Sequence, residues 1–352
     1  MPSRDELKRM ALETIERRKA EIVGIARTIE RNPETGFTEQ KTSKLVQEKF
    51  QELGITFQAG LALTGVKGSV VGGGGEGPTV AVLGELDSLR VTDHPYADPV
   101  TGAAHACGHH AQIGMLLGTT IGLLASGAMR HLAGRLVPFA VPAEEFIEVE
   151  RRLRLREEGK LEFLGGKQEL VKLGAFDDVH MAIMCHTASD LGDRKFALGG
   201  TSNGHVVKYV QYAGRAAHAG GSPHLGINAL NAAMLALQAI HANRETFREQ
   251  DTVRVHGILT KGGEAVSSVP ADVRLEWRVR SGSLEAVVEN STKVDRCFKA
   301  GALAVGAKVK ITNIPGYPPL RNDPVLQGLF QQNAAALLGE EAVAVYPATR
   351  NR

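Results

Sequence analysis

The chain has 352 residues, 43% of them hydrophobic, and its 41 basic residues against 39 acidic ones give a formal charge of +2. That near balance excludes the electrostatic footprint of a nucleic-acid binder, and the length suits two domains better than one core. Three cysteines (Cys107, Cys185 and Cys297) are too few for a disulfide framework and fit a reducing, cytoplasmic compartment, while neither the charged start nor the apolar run 113–129 reads as a signal peptide or membrane span.

In chain order, Ser3 followed by Glu6 forms a capping box. Leu7, Met10, Ala11, Ile15, Ile22, Ile25 and Ile29 then predict one long helix with a single buried stripe. A second helix covers 40–54, with Gly54 as its stop. The runs "GVKGSVVG" and "TVAVLGELD" flank a glycine tract and predict paired strands joined by a floppy hairpin. The tract lacks the Lys-Ser/Thr ending of a phosphate-binding loop. Next come a helix from "HHAQIGMLLG", a strand "RLVPFAVPA", a charged, solvated helix with a turn at Gly165–Gly166, and a strand "VHMAIMCH". The alternation predicts a mostly parallel sheet with helices on both faces. From about residue 200 the order β-α-β-β-α-β predicts a split βαβ domain, followed by a linker "GYPPLRNDP" and one more helix.

Ligands of an open α/β sheet bind at the carboxyl ends of its strands. Three runs of the first domain end in such groups: Glu85 and Asp87, then Glu144 and Glu145, then Cys185 and His186. The stretch "HACGHH" at 105–110 supplies a fourth, with Cys107 and His109 separated only by Gly108. Each group alone is ordinary, since a lone His or Cys after a strand is usually core or surface filler. Thiolate, imidazole and carboxylate together favour a borderline-soft divalent ion, zinc by default, with manganese, cobalt or nickel as alternatives. A rival reading makes Cys107 a nucleophile activated by a histidine, but leaves Glu144, Glu145 and His186 without a task.

"HACGHH", "PAEE" with "CHT" downstream, and "GRAAHAGGSPHLGINAL" together resemble the M20 family of metallopeptidases and amidohydrolases. The similarity is strongest to its aminoacylase-like branch, which includes p-aminobenzoyl-glutamate and auxin-conjugate hydrolases. The resemblance implies a zinc-peptidase-like α/β catalytic domain with an inserted ferredoxin-like lid that mediates homodimerisation. The expected boundaries are 1–198 for the first catalytic part, 199–314 for the lid, and 315–352 for a truncated return to the catalytic domain. It further implies Cys107, His109, Glu145 and His186 as ligands of two divalent ions per chain, with Glu144 as general base and Asp87 supporting the metals. His218 matches a histidine that polarises the scissile carbonyl in the partner subunit's site, and Arg280 an arginine for the substrate carboxylate. The implied activity is hydrolysis of N-acyl or N-aroyl amino acids, or similar small conjugates, by metal-activated water.

The chain departs from the family pattern at His110, where many relatives carry Asp, and at Ser267, where they carry Asn. It also ends at "YPATRNR" without the C-terminal segment that brings a further histidine ligand. The alternative expectation is therefore a catalytically impaired relative that binds such conjugates or serves as a partner subunit.

Overall fold

The reciprocal hydrogen bonds of Ser3 and Glu6 open α1 (Arg4–Arg17), as the capping box requires. In this computed structural model, which describes residues 1–188 and 191–351, the chain divides into two compact units, Met1–Ala188 and Ser189–Arg352. The single long helix expected at the start is two, because Arg18 (φ −100°, ψ 11°) leaves the helix before α2 (Lys19–Glu30) begins. The break lets both helices pack against one later helix instead of running past it. α3 (Gln40–Glu52) stops as expected, with Gly54 at φ +69°.

The rest of the first unit comprises β1 (Thr56–Leu61), β2 (Gly65–Val71), β3 (Thr79–Glu85), the short β4 (Leu89–Arg90) and β5 (Ala103–Ala104), α4 (His109–Ala125), β6 (Arg135–Val141), α5 (Val149–Glu157), α6 (Gly166–Lys172) and β7 (Met181–Ile183). Its main sheet has the order β1-β2-β6-β3-β7. β6, β3 and β7 run parallel, while β1 and β2 add an antiparallel edge, so the sheet is mixed rather than mostly parallel. α4 is apolar and mostly buried, and its Gly114, Gly118 and Gly122 meet Ala26, Ile22 and Ile15, bringing α1 and α2 close. Ile113, Leu116 and Leu117 of the same helix join Ile25, Ile29, Val46 and Phe50 in the core.

Two expectations fail here for one reason, close packing. β2 and β3 do not pair; β6 lies between them. Their glycine connection is docked rather than floppy: Gly72 N–H donates to the Gly134 carbonyl (2.8 Å), Gly73 to Met129 (2.9 Å) and Gly74 to Leu132 (2.9 Å). A Cβ on Gly72 or Gly73 would lie 2.0 or 2.4 Å from the carbonyl oxygen of Leu132 or Arg130. The charged segment is likewise not one solvated helix. It forms α5 and α6, with Arg152, Leu153 and Glu169 buried.

The second unit contains β8 (Phe196–Thr201), β9 (Gly204–Ala213), α7 (Ala229–Asn243), β10 (Arg254–Lys261), β11 (Asp272–Ser281), α8 (Leu284–Val305), β12 (Lys308–Pro315), α9 (Pro324–Leu338) and β13 (Val343–Asn351). β9 to β12 form an antiparallel sheet of order β10-β11-β9-β12 with α7 and α8 packed on it, the ferredoxin-like arrangement. Sequence reasoning did not anticipate β8 and β13, which pair in parallel, with α9 packed against them. In this division residues 315–351 group with the second unit, in which β13 pairs with β8. No helix among the described residues is long and apolar enough to cross a membrane.

The docked tract makes a pair of identical substitutions diverge. Gly73→Ala should cost about 1–3 kcal/mol through overpacking. Gly24→Ala, in α2 with nothing within 4 Å of the new methyl, should gain about 0.5–1 kcal/mol. Urea midpoints at unchanged m-values measure both.

Candidate functional site

Gly108 adopts φ +92° immediately before α4, and a Cβ there would lie 2.3 Å from Thr187 Oγ1. That left-handed turn places Cys107 outside the helix and His109 at its first position. Thr187 Oγ1 donates to the Cys107 carbonyl (2.9 Å), tying the turn to the segment after β7. Cys107 Sγ then lies 3.3 Å from His186 Nε2.

β3 delivers Glu85 and, just past its end, Asp87. His109 Nδ1 sits 2.8 Å from the Asp87 carbonyl oxygen and 3.2 Å from its Oδ1. A carbonyl only accepts, so Nδ1 carries a proton and Nε2 is the nitrogen left to ligate an ion. His109 Nε2 is buried without an aligned hydrogen bond, 3.0 Å from Glu85 Oε2. His186 repeats the logic, its Nδ1 donating to the Thr187 carbonyl (2.7 Å) and leaving Nε2 toward Cys107. Past β6, the Glu145 N–H donates to Asp87 Oδ2 (2.9 Å), so one aspartate orients both His109 and the Glu144–Glu145 turn.

Two overlapping sets of ligand atoms result, each within 4.8 Å of one another: Cys107, His109 and His186, and Glu85, His109 and Glu144. Glu145 is partly buried beside Glu144 but belongs to neither set, and His105 and His110 also lie outside them. His105 is buried against His110, with burial pushing its pKa down to about 3. In the second unit His218 is exposed and accepts the Gly221 N–H at Nδ1 (2.8 Å), which puts its proton on Nε2. Arg280 stands on β11 opposite His205 and Arg254, its Nε buried without a hydrogen-bond partner.

The electrostatics favour a cation. Burial alone would lower the His109 pKa, but contacts with Asp87, Cys107 and Glu85 raise it well above the ordinary imidazole range. Cys107, against burial, brings His186 up to about 9. Burial and then Glu85 push Glu144 up to about 7, despite Lys167. Without metal the imidazoles therefore hold protons that a divalent ion would displace. The orphaned His109 Nε2 and the sulfur, imidazole and carboxylate donor set fit such an ion.

Several neighbours escaped sequence reasoning. Gln112, one turn beyond His109, donates to Glu85 Oε2 (2.8 Å) and accepts its N–H (3.2 Å), a relation the i, i+3 spacing contains. Glu39 accepts from Thr64 Oγ1 (2.7 Å) and the Ala143 N–H (2.8 Å). Lys167 pairs with Glu85, and Arg152 lies 5.2 Å over the Phe37 ring. These three come from segments that read as ordinary helix ends and surface charge.

The Peptidase dimerisation domain of the M20 family matches residues 197–305. The chain is 27% identical over 334 residues to the "IAA-amino acid hydrolase ILR1-like 4" of Arabidopsis thaliana, covering 91% of this chain and 70% of that protein. It is 28% identical over 344 residues to the "N-acetyl-L-cysteine deacetylase" of Bacillus subtilis, covering 94% and 75%. Among solved structures, an aminobenzoyl-glutamate utilization protein from Klebsiella pneumoniae superposes with a TM-score of 0.69 at 20% identity, over 96% of this chain and 87% of that one. A Bacillus subtilis dinuclear metal-binding peptidase from the M20 family gives 0.63 at 21%, over 95% and 82%.

Burial and then Asp87 raise Glu39 to about 7. Its native state thus keeps a proton that the unfolded chain loses, and stability falls as pH rises from about 4.5 to about 7. Glu39→Gln mimics the neutral acid. Urea denaturation should find it about 1–3 kcal/mol more stable than the parent near pH 8 and little changed near pH 4.

Proposed function

The chain belongs to the M20 family of metallopeptidases and amidohydrolases, and on that premise we propose that it cleaves the amide bond of small N-acyl or N-aroyl amino acids. One observation carries the reading: Cys107, His109 and His186, from segments far apart in sequence, bring ligand atoms within 4.8 Å of one another, with Glu144 in the adjoining set. Cys107, His109, His186 and Glu145 would hold a divalent ion, zinc first, since thiolate and imidazole donors suit it, with manganese, cobalt or nickel as alternatives. When bound, such an ion supplies Lewis acidity that makes water a nucleophile near neutral pH.

The chain's own groups account for the proton traffic. Glu144, whose carboxyl burial and then Glu85 raise to about 7 in the metal-free chain, is assigned to take a proton from the attacking water and return it to the departing amine. Asp87 holds His109 and the Glu144–Glu145 turn in place. His218, with its proton on Nε2, is assigned to the developing oxyanion in a partner subunit's site, where one such donor is commonly worth about 3 kcal/mol. Arg280 is assigned to the substrate carboxylate. The dimerisation domain over 197–305 supports a homodimer. The IAA-amino acid, N-acetyl-L-cysteine and aminobenzoyl-glutamate in the names of its relatives and structural neighbours define the substrate panel.

Glu144→Gln should retain metal while turnover falls by about 10²-fold or more. Activity that survives both this substitution and a chelator, yet is lost on alkylation of Cys107, would replace the metal reading with the thiol one. Metal uptake with no turnover on any conjugate would return the chain to a binding role. His218→Ala should lower kcat about 10²-fold with KM little changed, as loss of a transition-state contact does.

A further inference from the structure

Lys167 is a cation already inside the cage. Its ammonium pairs with Glu85 Oε1, and it also acts electrostatically on Glu144. The other oxygen of Glu85 receives the Gln112 amide (2.8 Å) and faces His109 Nε2 (3.0 Å). Glu85 itself is buried. Both of its oxygens are therefore engaged before any ion arrives.

Packing fixes this placement. Gly166 N–H donates to the Ala143 carbonyl (2.9 Å), and a Cβ on Gly166 would lie 1.8 Å from the Pro142 carbonyl oxygen. Only a glycine lets the start of α6 press this closely on the strand end that carries Glu144, and the next residue is Lys167. The set of Cys107, His109 and His186 has no such ammonium among the described contacts.

We propose that Lys167 stands in for a second metal ion, neutralising the Glu85–His109–Glu144 set, so that the chain loads one divalent ion tightly at Cys107, His109 and His186. The inference rests on the metal reading above and replaces the expectation of two divalent ions per chain. A tethered charge within a few ångströms of an incoming cation weakens its binding by about 100-fold or more, since the attraction of the carboxylates is already used.

The test is titration of metal-stripped protein with zinc and with cobalt, read by calorimetry, bound-metal analysis and the cobalt spectrum. The parent chain should bind one ion tightly, giving a thiolate-to-cobalt absorption through Cys107, and a second about 100-fold more weakly or not at all. Lys167→Met should bind two ions within about tenfold of each other, whereas Lys167→Arg should keep the parent pattern. Two equally tight ions in the parent overturn the proposal without any variant. A folded Lys167→Met (circular dichroism as parent) that still takes one ion also overturns it. If Lys167→Met does not fold, Lys167→Gln takes its place under the same criteria. Failure of the parent to bind any ion removes the metal reading itself, a result distinct from tight binding of two.

Discussion

His109 is the constraint on which the site depends. Its Nδ1 is held at the Asp87 carbonyl, so the ring can turn only Nε2 toward Glu85 and Glu144. The residue sits at the start of α4 because Gly108 turns through a left-handed conformation, and α4 is clamped by α1 and α2. A local backbone angle, a buried helix and the end of β3 therefore all act on one imidazole. Both candidate sets contain it, so a shift of this ring would disturb each of them.

The charges around it obey a second constraint. Glu39, Glu85 and Asp87 are all buried in one unit, and isolated carboxylates do not survive burial unpaired. The molecule supplies Arg152 and Lys167 from the segment after β6, and backbone N–H groups from Ala143 and Glu145. Arg152 donates to the Leu164 carbonyl (2.8 Å) and stacks on Phe37, so it anchors that segment while its charge faces Asp87 and Glu39. The stretch that reads as solvent-facing is thus the counter-charge of the centre.

What was legible in the sequence follows the range of the forces involved. Capping by Ser3, the stop at Gly54 and the β-α-β-β-α-β order depend on neighbours in the chain, and the structure has them. The residues of "HACGHH" and the strand ends stood out because such side chains are conspicuous after apolar runs. The interposition of β6 between β2 and β3, the break at Arg18 and the burial of Arg152 depend on partners distant in sequence. Lys167 illustrates the limit: nothing local distinguishes it from the other basic residues near it, and only the approach of Gly166 to Pro142 gives it a role.

The glycine tract between β2 and β3 carries a consequence for how the molecule tolerates change. By composition it is a spacer, the kind of stretch into which a tag or a graft is usually placed. Its backbone at Gly72, Gly73, Gly74 and Gly77 is instead pressed along Met129–Gly134 with no room for a Cβ. In a mutational scan these positions would score like the interior of the protein, and an insertion there would pry β6 from the chain segment that leads into its neighbour.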